Sequence, residues 1–155
     1  MNKIKNFFRF ALSVIVCIGL QACEEDHTYI DDTDPVISTY QLAGNWQLTK
    51  WHGEVLDGSQ RYCYLHIDSK DRKFEIYQNF DSSQPRRLTG TFTLKYDEVQ
   101  GVNIIKGIYD HASGYWNNDY IINDFTSQSM EWIVIGNPED VSVYTRCDEI
   151  PFAVK

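Results

Sequence analysis

From residue 41 onward, apolar and polar positions alternate with a period of two rather than the 3.6 of a helix. The alternating runs are rich in aromatic and β-branched residues and break at Gly, Asn, Asp, Ser or Pro. They predict strands over Asn45–Gly53, Arg61–Asp68, Lys73–Phe80, Arg87–Tyr96, Val102–Tyr109, Tyr115–Asp124, Ser129–Ile135 and Val141–Cys147. The breaks include Asp57-Gly58-Ser59, Ser69-Lys70-Asp71, Asp97–Gly101 and Gly136–Asp140. Connections this short pair neighbours in chain order as hairpins. Eight such strands either stack as a sandwich or close into an up-and-down barrel, and closure removes exposed edges. No window beyond residue 40 carries a convincing apolar face at helical spacing; one short helical turn fits near Ser38–Leu42.

The first 40 residues follow other rules. Lys3, Lys5 and Arg9 precede an apolar run of about ten residues, Ala11–Leu20, and Gln21-Ala22 lead to Cys23. This is the pattern of a secretory signal over residues 1–22, and the run is short of the roughly 20 residues a spanning helix needs. Residues 23–40 are acidic, contain Pro35 and lack apolar periodicity, as a flexible tether does. At about 3.3 Å per residue, that tether reaches at most about 60 Å. The domain is expected over residues 41–150, with a tail at 151–155.

Removing the signal removes three basic residues and no acids. It leaves 11 Lys+Arg against 22 Asp+Glu, a formal net charge of −11. Phosphate backbones need clustered Lys and Arg, so nucleic acid is not an expected partner. Asp31, Asp32 and Asp34 lack the Gly and terminal Glu of a calcium loop, and no metal or cofactor is expected.

Leu20-Gln21-Ala22-Cys23 resembles the lipobox of bacterial lipoproteins, which implies a diacylated Cys23, carrying palmitate-type chains, as the first mature residue. Two acyl chains anchor stably where one does not. An ordinary cleavage site that happens to precede a cysteine is the alternative. Glu24-Glu25-Asp26 resembles the export tag of Bacteroidota surface lipoproteins and implies the outer face of the outer membrane; the periplasmic face stays open.

Gly44-Asn45-Trp46 opens the first strand in the G-x-W form of lipocalins, and Tyr144-Thr145-Arg146 ends the last. YLHIDSKDRKFEIYQNF, LTGTFTL, GIYDHASGYWNNDYII and SMEWIVIG are similar to the lipocalin-like domain of Bacteroidota lipoproteins. The resemblance implies an all-β, eight-stranded antiparallel up-and-down barrel. It also implies that Arg146 packs across Trp46 to close one end, a cation–π contact worth about 0.5–2 kcal/mol. Strict alternation puts Arg146 on the opposite face to Val141 and Val143, so either a bulge intervenes or the valines do not face inward.

Once Cys17 leaves with the signal and Cys23 takes lipid, Cys63 and Cys147 remain. An exported location permits a disulfide between them; two buried thiols are the alternative. His66 and Asp68 share one face of the second strand, an arrangement that suits either a base with its orienting acid or a structural hydrogen bond. No positioned nucleophile or catalytic motif accompanies them, and no enzyme is expected. Tyr62, Tyr64, Phe74, Phe92, Tyr96, Trp116, Tyr120 and Trp132 lie at places that can face inward. Tyr64, Phe92, Trp116, Tyr120 and Trp132 are the ligand-binding candidates. The same rings can instead fill a solid core. The expectation is a membrane-anchored surface lipoprotein whose barrel binds a small apolar or amphipathic ligand, with an outer-membrane protein as a further partner. The alternative is a solid barrel acting as a protein-interaction, adhesion or inhibitor module.

Overall fold

The computed structural model describes residues 35–58, 60–80, 84–111 and 114–155. The signal segment, Cys23, its acidic run and the tether through residue 34 lie outside the described residues.

A one-turn helix, α1 (Thr39–Leu42), leads into the sheet. Ser38 and Gln41 form a reciprocal capping box at its start. Ser38 N–H donates to Gln41 Oε1 at 2.6 Å, and Gln41 N–H donates to Ser38 Oγ at 3.3 Å. This is the short turn the sequence allowed. The strands are β1 (Gly44–Trp51), β2 (Glu54–Val55), β3 (Cys63–Asp68), β4 (Lys73–Gln78), β5 (Arg86–Asp97), β6 (Val102–Tyr109), β7 (Tyr120–Asn123), β8 (Ser129–Val134) and β9 (Asn137–Cys147). All pairings are antiparallel, in the order β1, β3, β4 and so on to β9, and β9 pairs back onto β1. The chain is therefore a closed eight-stranded antiparallel β-barrel. The two-residue β2 is an appendage on β1.

Burial alternates as closure demands. On β3, Cys63, Leu65 and Ile67 point inward; on β4 Phe74 does, on β8 Met130 and Trp132, and on β9 Tyr144. These residues join one core cluster with Leu42, Trp46, Leu48, Phe92, Ile105, Trp116 and Ile122. A second cluster lies on the outer wall. Tyr62, Tyr64 and Tyr77 pack with Ile150, Cys147 and Val154 where the chain end folds over β3 and β4. Val154 belongs to a 3₁₀ turn, Phe152–Val154.

Two strands depart from expectation. The strand expected over Tyr115–Asp124 pairs as a ladder only over Tyr120–Asn123. Tyr115 keeps a single bridge to Ile108, because the next residue, Trp116, turns its side chain into the barrel. The last strand begins at Asn137 rather than Val141. Val134 pairs with Asn137 across a tight turn in which Gly136 adopts φ +88°, and a bulge then shifts the register to Ile133–Val141. That register settles the phase of β9. Ser142, Tyr144 and Arg146 face inward, and Val141 and Val143 face out.

Candidate functional site

The two ends of the barrel are built differently. At one end, Trp46 pairs directly with Arg146 across β1 and β9. Trp46 is fully buried, and its Nε1–H donates to the Leu42 carbonyl at 2.8 Å. The Arg146 guanidinium lies 4.0 Å from the Trp46 ring centroid. Its three kinds of nitrogen each find a carbonyl: Nε donates to Ser127 at 2.7 Å, Nη1 to Ala43 at 2.6 Å and Nη2 to Gln41 at 2.9 Å. Gln41 and Ala43 carry carbonyls at the end of α1 that no further turn of helix satisfies. Gly44 makes this possible. It sits at φ +118°, and a Cβ there would stand 2.6 Å from Arg146 Nη1. Asn103 ties down the incoming chain, accepting from Ile37 N–H at 2.9 Å and donating to the Pro35 carbonyl at 2.6 Å. Phe125 packs beside Trp46.

The far end is aromatic. Inside it, ring centroids stand 5.0 Å apart for Phe74–Trp116, 5.5 Å for Trp116–Trp132, 5.3 Å for Tyr120–Trp132 and 4.9 Å for Trp132–Tyr144. Half-buried Trp51, Leu56, Phe80, Tyr109 and Tyr120 pack against this group from the mouth. Arg61 lies across the rim, 5.2 Å from the Trp51 ring and 4.8 Å from that of Phe80. Beside it a 260 Å³ concavity is lined by Val55, Leu56, Asp57, Gln60 and Arg61. A larger one, about 360 Å³, lies on the outer wall between the β1 and β9 turns, with Lys50, His52, Glu131 and Glu139 around Val141 and Val143.

The interior favours neutral groups. Burial pushes the Cys63 thiol up to about 12, against a smaller lowering by its hydrogen bond to Tyr144. Burial likewise raises the Tyr144 hydroxyl well above its ordinary value, and the Tyr120 hydroxyl to a lesser degree. Among the described residues, the buried polar side chains are Asn103 and Ser142, neither of them charged.

Of the ligand candidates, Phe92, Trp116, Tyr120 and Trp132 all join the core cluster. Tyr64 does not. Its neighbours Cys63 and Leu65 point in, so alternation turns it out, where it packs 6.0 Å from Tyr62 and near Ile150. Phe74 and Tyr144 line the same interior; parity with Arg146 was the signal for Tyr144.

The expected Cys63–Cys147 disulfide is absent, and both thiols are free. Cys63 faces the interior, whereas Cys147 joins the outer cluster. The barrel wall separates them, so no end-crossing bond forms. His66 Nδ1 meets Asn45 Oδ1 at 2.8 Å, while Asp68 Oδ1 accepts from Lys70 N–H at 2.9 Å and holds the β3–β4 turn. Their shared face leads to two separate structural contacts.

A closed, helix-poor barrel with an arginine laid over a tryptophan at one end has the lipocalin-like form that the sequence resemblance implied. The lipocalin-like domain family matches residues 42–132, more than half of the chain, and the protein belongs to that family. The match stops short of β9, so Arg146 is placed by the geometry alone. No curated protein and no solved structure matches the chain.

Proposed function

We propose that this protein is a lipid-anchored, surface-facing lipoprotein whose barrel takes a small apolar or amphipathic ligand through the mouth opposite the Trp46–Arg146 closure. The asymmetry of the two ends carries the reading. One end is tied by directional hydrogen bonds; the other offers half-buried rings and the Arg61 guanidinium, a combination that suits an apolar body with a polar tip. The neutral interior supports an uncharged body for that ligand. The lipobox-like Leu20–Cys23 supports the anchor, and the acidic run after it supports export to the surface. Native mass spectrometry of protein purified from its own host tests the ligand: a retained small molecule is expected, and a bare mass from several preparations sinks the reading. Detergent phase partition tests the anchor, since Cys23→Ser moves the protein to the aqueous phase.

A second reading has its own observation. Ile104, Ile121, Ile133 and Val141 face outward in register across β6 to β9, an apolar row on the outer wall. A barrel acting through this row binds a protein, such as an outer-membrane component, and needs nothing inside. In-cell crosslinking from a photoreactive residue at position 121 distinguishes the two.

A further inference from the structure

Trp116 is the odd member of the interior. The other buried rings of the core, Trp46, Phe74, Phe92, Trp132 and Tyr144, are carried on strands; Trp116 comes from the connection between β6 and β7. Its backbone N–H donates to the Gly107 carbonyl at 2.9 Å, which holds its main chain to the edge of β6. The indole lies on Gly107, where any Cβ would overlap it. It is only 8% exposed, yet its Nε1–H has no hydrogen-bond partner among the described residues. Buried tryptophans usually find an acceptor, and an orphaned donor penalises the inward position. In water that N–H would be satisfied.

We propose that the volume held by the Trp116 indole is itself the ligand site, taken in exchange by a neutral, flat, aromatic molecule of about indole's size. This inference rests on the ligand-binding reading above and narrows its chemistry. With Trp116 swung out, the vacated slot is walled by Phe74, Tyr120 and Trp132 and floored by Gly107, which presents backbone instead of a side chain. Rings on three sides select a planar guest by offset and edge contacts. No charged side chain is buried there, and the nearby hydroxyl and thiol groups are held protonated, which selects against ions.

The test is calorimetric titration of the full chain with indole, alongside Trp116→Ala and Trp116→Phe. A ligand competing with a resident side chain sees its affinity reduced by the fraction of open state. Wild type is therefore expected to bind measurably, Trp116→Ala at least tenfold more tightly, and Trp116→Phe in between. Fluorine NMR of fluorotryptophan-labelled wild type supplies a readout that does not depend on the variants folding. On saturation with indole the Trp116 signal is expected to gain a solvent isotope shift, and the Trp46 signal is not. Binding by Trp116→Ala alone overturns the inference, because any engineered hole can do that. Equal affinities in wild type and Trp116→Ala, or a Trp116 signal that stays shielded, also overturn it and leave the ligand-binding reading standing. If none of the three proteins takes indole at millimolar concentration, the inference falls, and native mass spectrometry then decides the broader reading separately.

Discussion

Replacing Arg146 removes three hydrogen bonds and a ring contact from the closed end at once. Its guanidinium serves three carbonyls, those of Gln41, Ala43 and Ser127, and covers the Trp46 ring. Bonds from a charged donor contribute at least about 1.5 kcal/mol each, and the cation–π contact about 1 kcal/mol. The gross loss is thus about 5.5 kcal/mol. Arg146 is half-buried, so water re-solvates part of what it leaves, and the net loss in Arg146→Ala is expected near 3 kcal/mol. That is a large share of the 5–15 kcal/mol that holds a typical domain. For a barrel of this size it lowers the melting temperature by roughly 12 °C, at about 4 °C per kcal/mol. Arg146→Lys keeps the charge, but its donors share one nitrogen and cannot span the three carbonyls, so it is expected to lose about 2 kcal/mol. Urea unfolding followed by circular dichroism measures both. A loss under about 1 kcal/mol for the alanine variant, or a lysine variant as stable as wild type, refutes the idea that the fork closes the barrel.

Gly44→Ala places a methyl group at φ +118° and 2.6 Å from Arg146 Nη1, and is expected to cost about 2–4 kcal/mol in the same assay; in an Arg146→Ala background the steric part vanishes and the cost drops. Gly107→Ala drives a Cβ into the Trp116 ring and is expected to destabilise by about 3 kcal/mol alone but little alongside Trp116→Ala, which a double-mutant cycle reads directly. Cys63 bears on stability at high pH. Its folded value, about 12, lies above that of the unfolded chain, so its contribution is complete below pH 9 and declines as pH rises toward 12. The slope is about 1.4 kcal/mol per pH unit, and Cys63→Ala should flatten the decline between pH 9 and 11; identical slopes in both proteins reject the buried thiol as its source. At neutral pH a thiol reagent should label Cys147 in the native protein and reach Cys63 only on unfolding, whereas no labelling until reduction would restore the disulfide.

Much of the barrel was legible because closure and alternation are both written locally. Val102–Tyr109 is a strand at its expected bounds, since its inward residues Asn103, Ile105 and Gly107 keep strict period two. Trp46 and Arg146 were legible through the resemblance to lipocalins, whose G-x-W motif and late-strand arginine imply that closure. What escaped was phase. Tyr64 and Cys147 each have the residue type of an inward position but sit one step out of register with it. The chain end that buries them, through Ile150 and Val154, has no periodic pattern to announce it. Trp116 was expected on a strand and instead enters from a connection, where alternation has no meaning. Only Gly107 hinted at it, and a glycine within a strand does not say which ring will lie upon it.

The contrast between the ends explains why one barrel can be both well specified and open to exchange. The hydrogen bonds at the closed end are directional: Arg146 ties the last strand to the carbonyls that lead into the first, Trp46 holds the turn at Leu42, and Asn103 holds the entering chain at Pro35 and Ile37. At the far end His52 N–H donates to the Val141 carbonyl and the His52 ring stands 3.1 Å from Asp140, so the rim also joins the first strand to the last. Inside that end most contacts are rings packed on rings, which tolerate substitution of one flat apolar body for another with little change in contact area. A barrel whose register is held at one end and along its rims can leave the inside of the other end held chiefly by area. Among the described residues, an unpartnered buried donor lies inside that second end, on Trp116, where an imperfect fit does not endanger the register of the sheet.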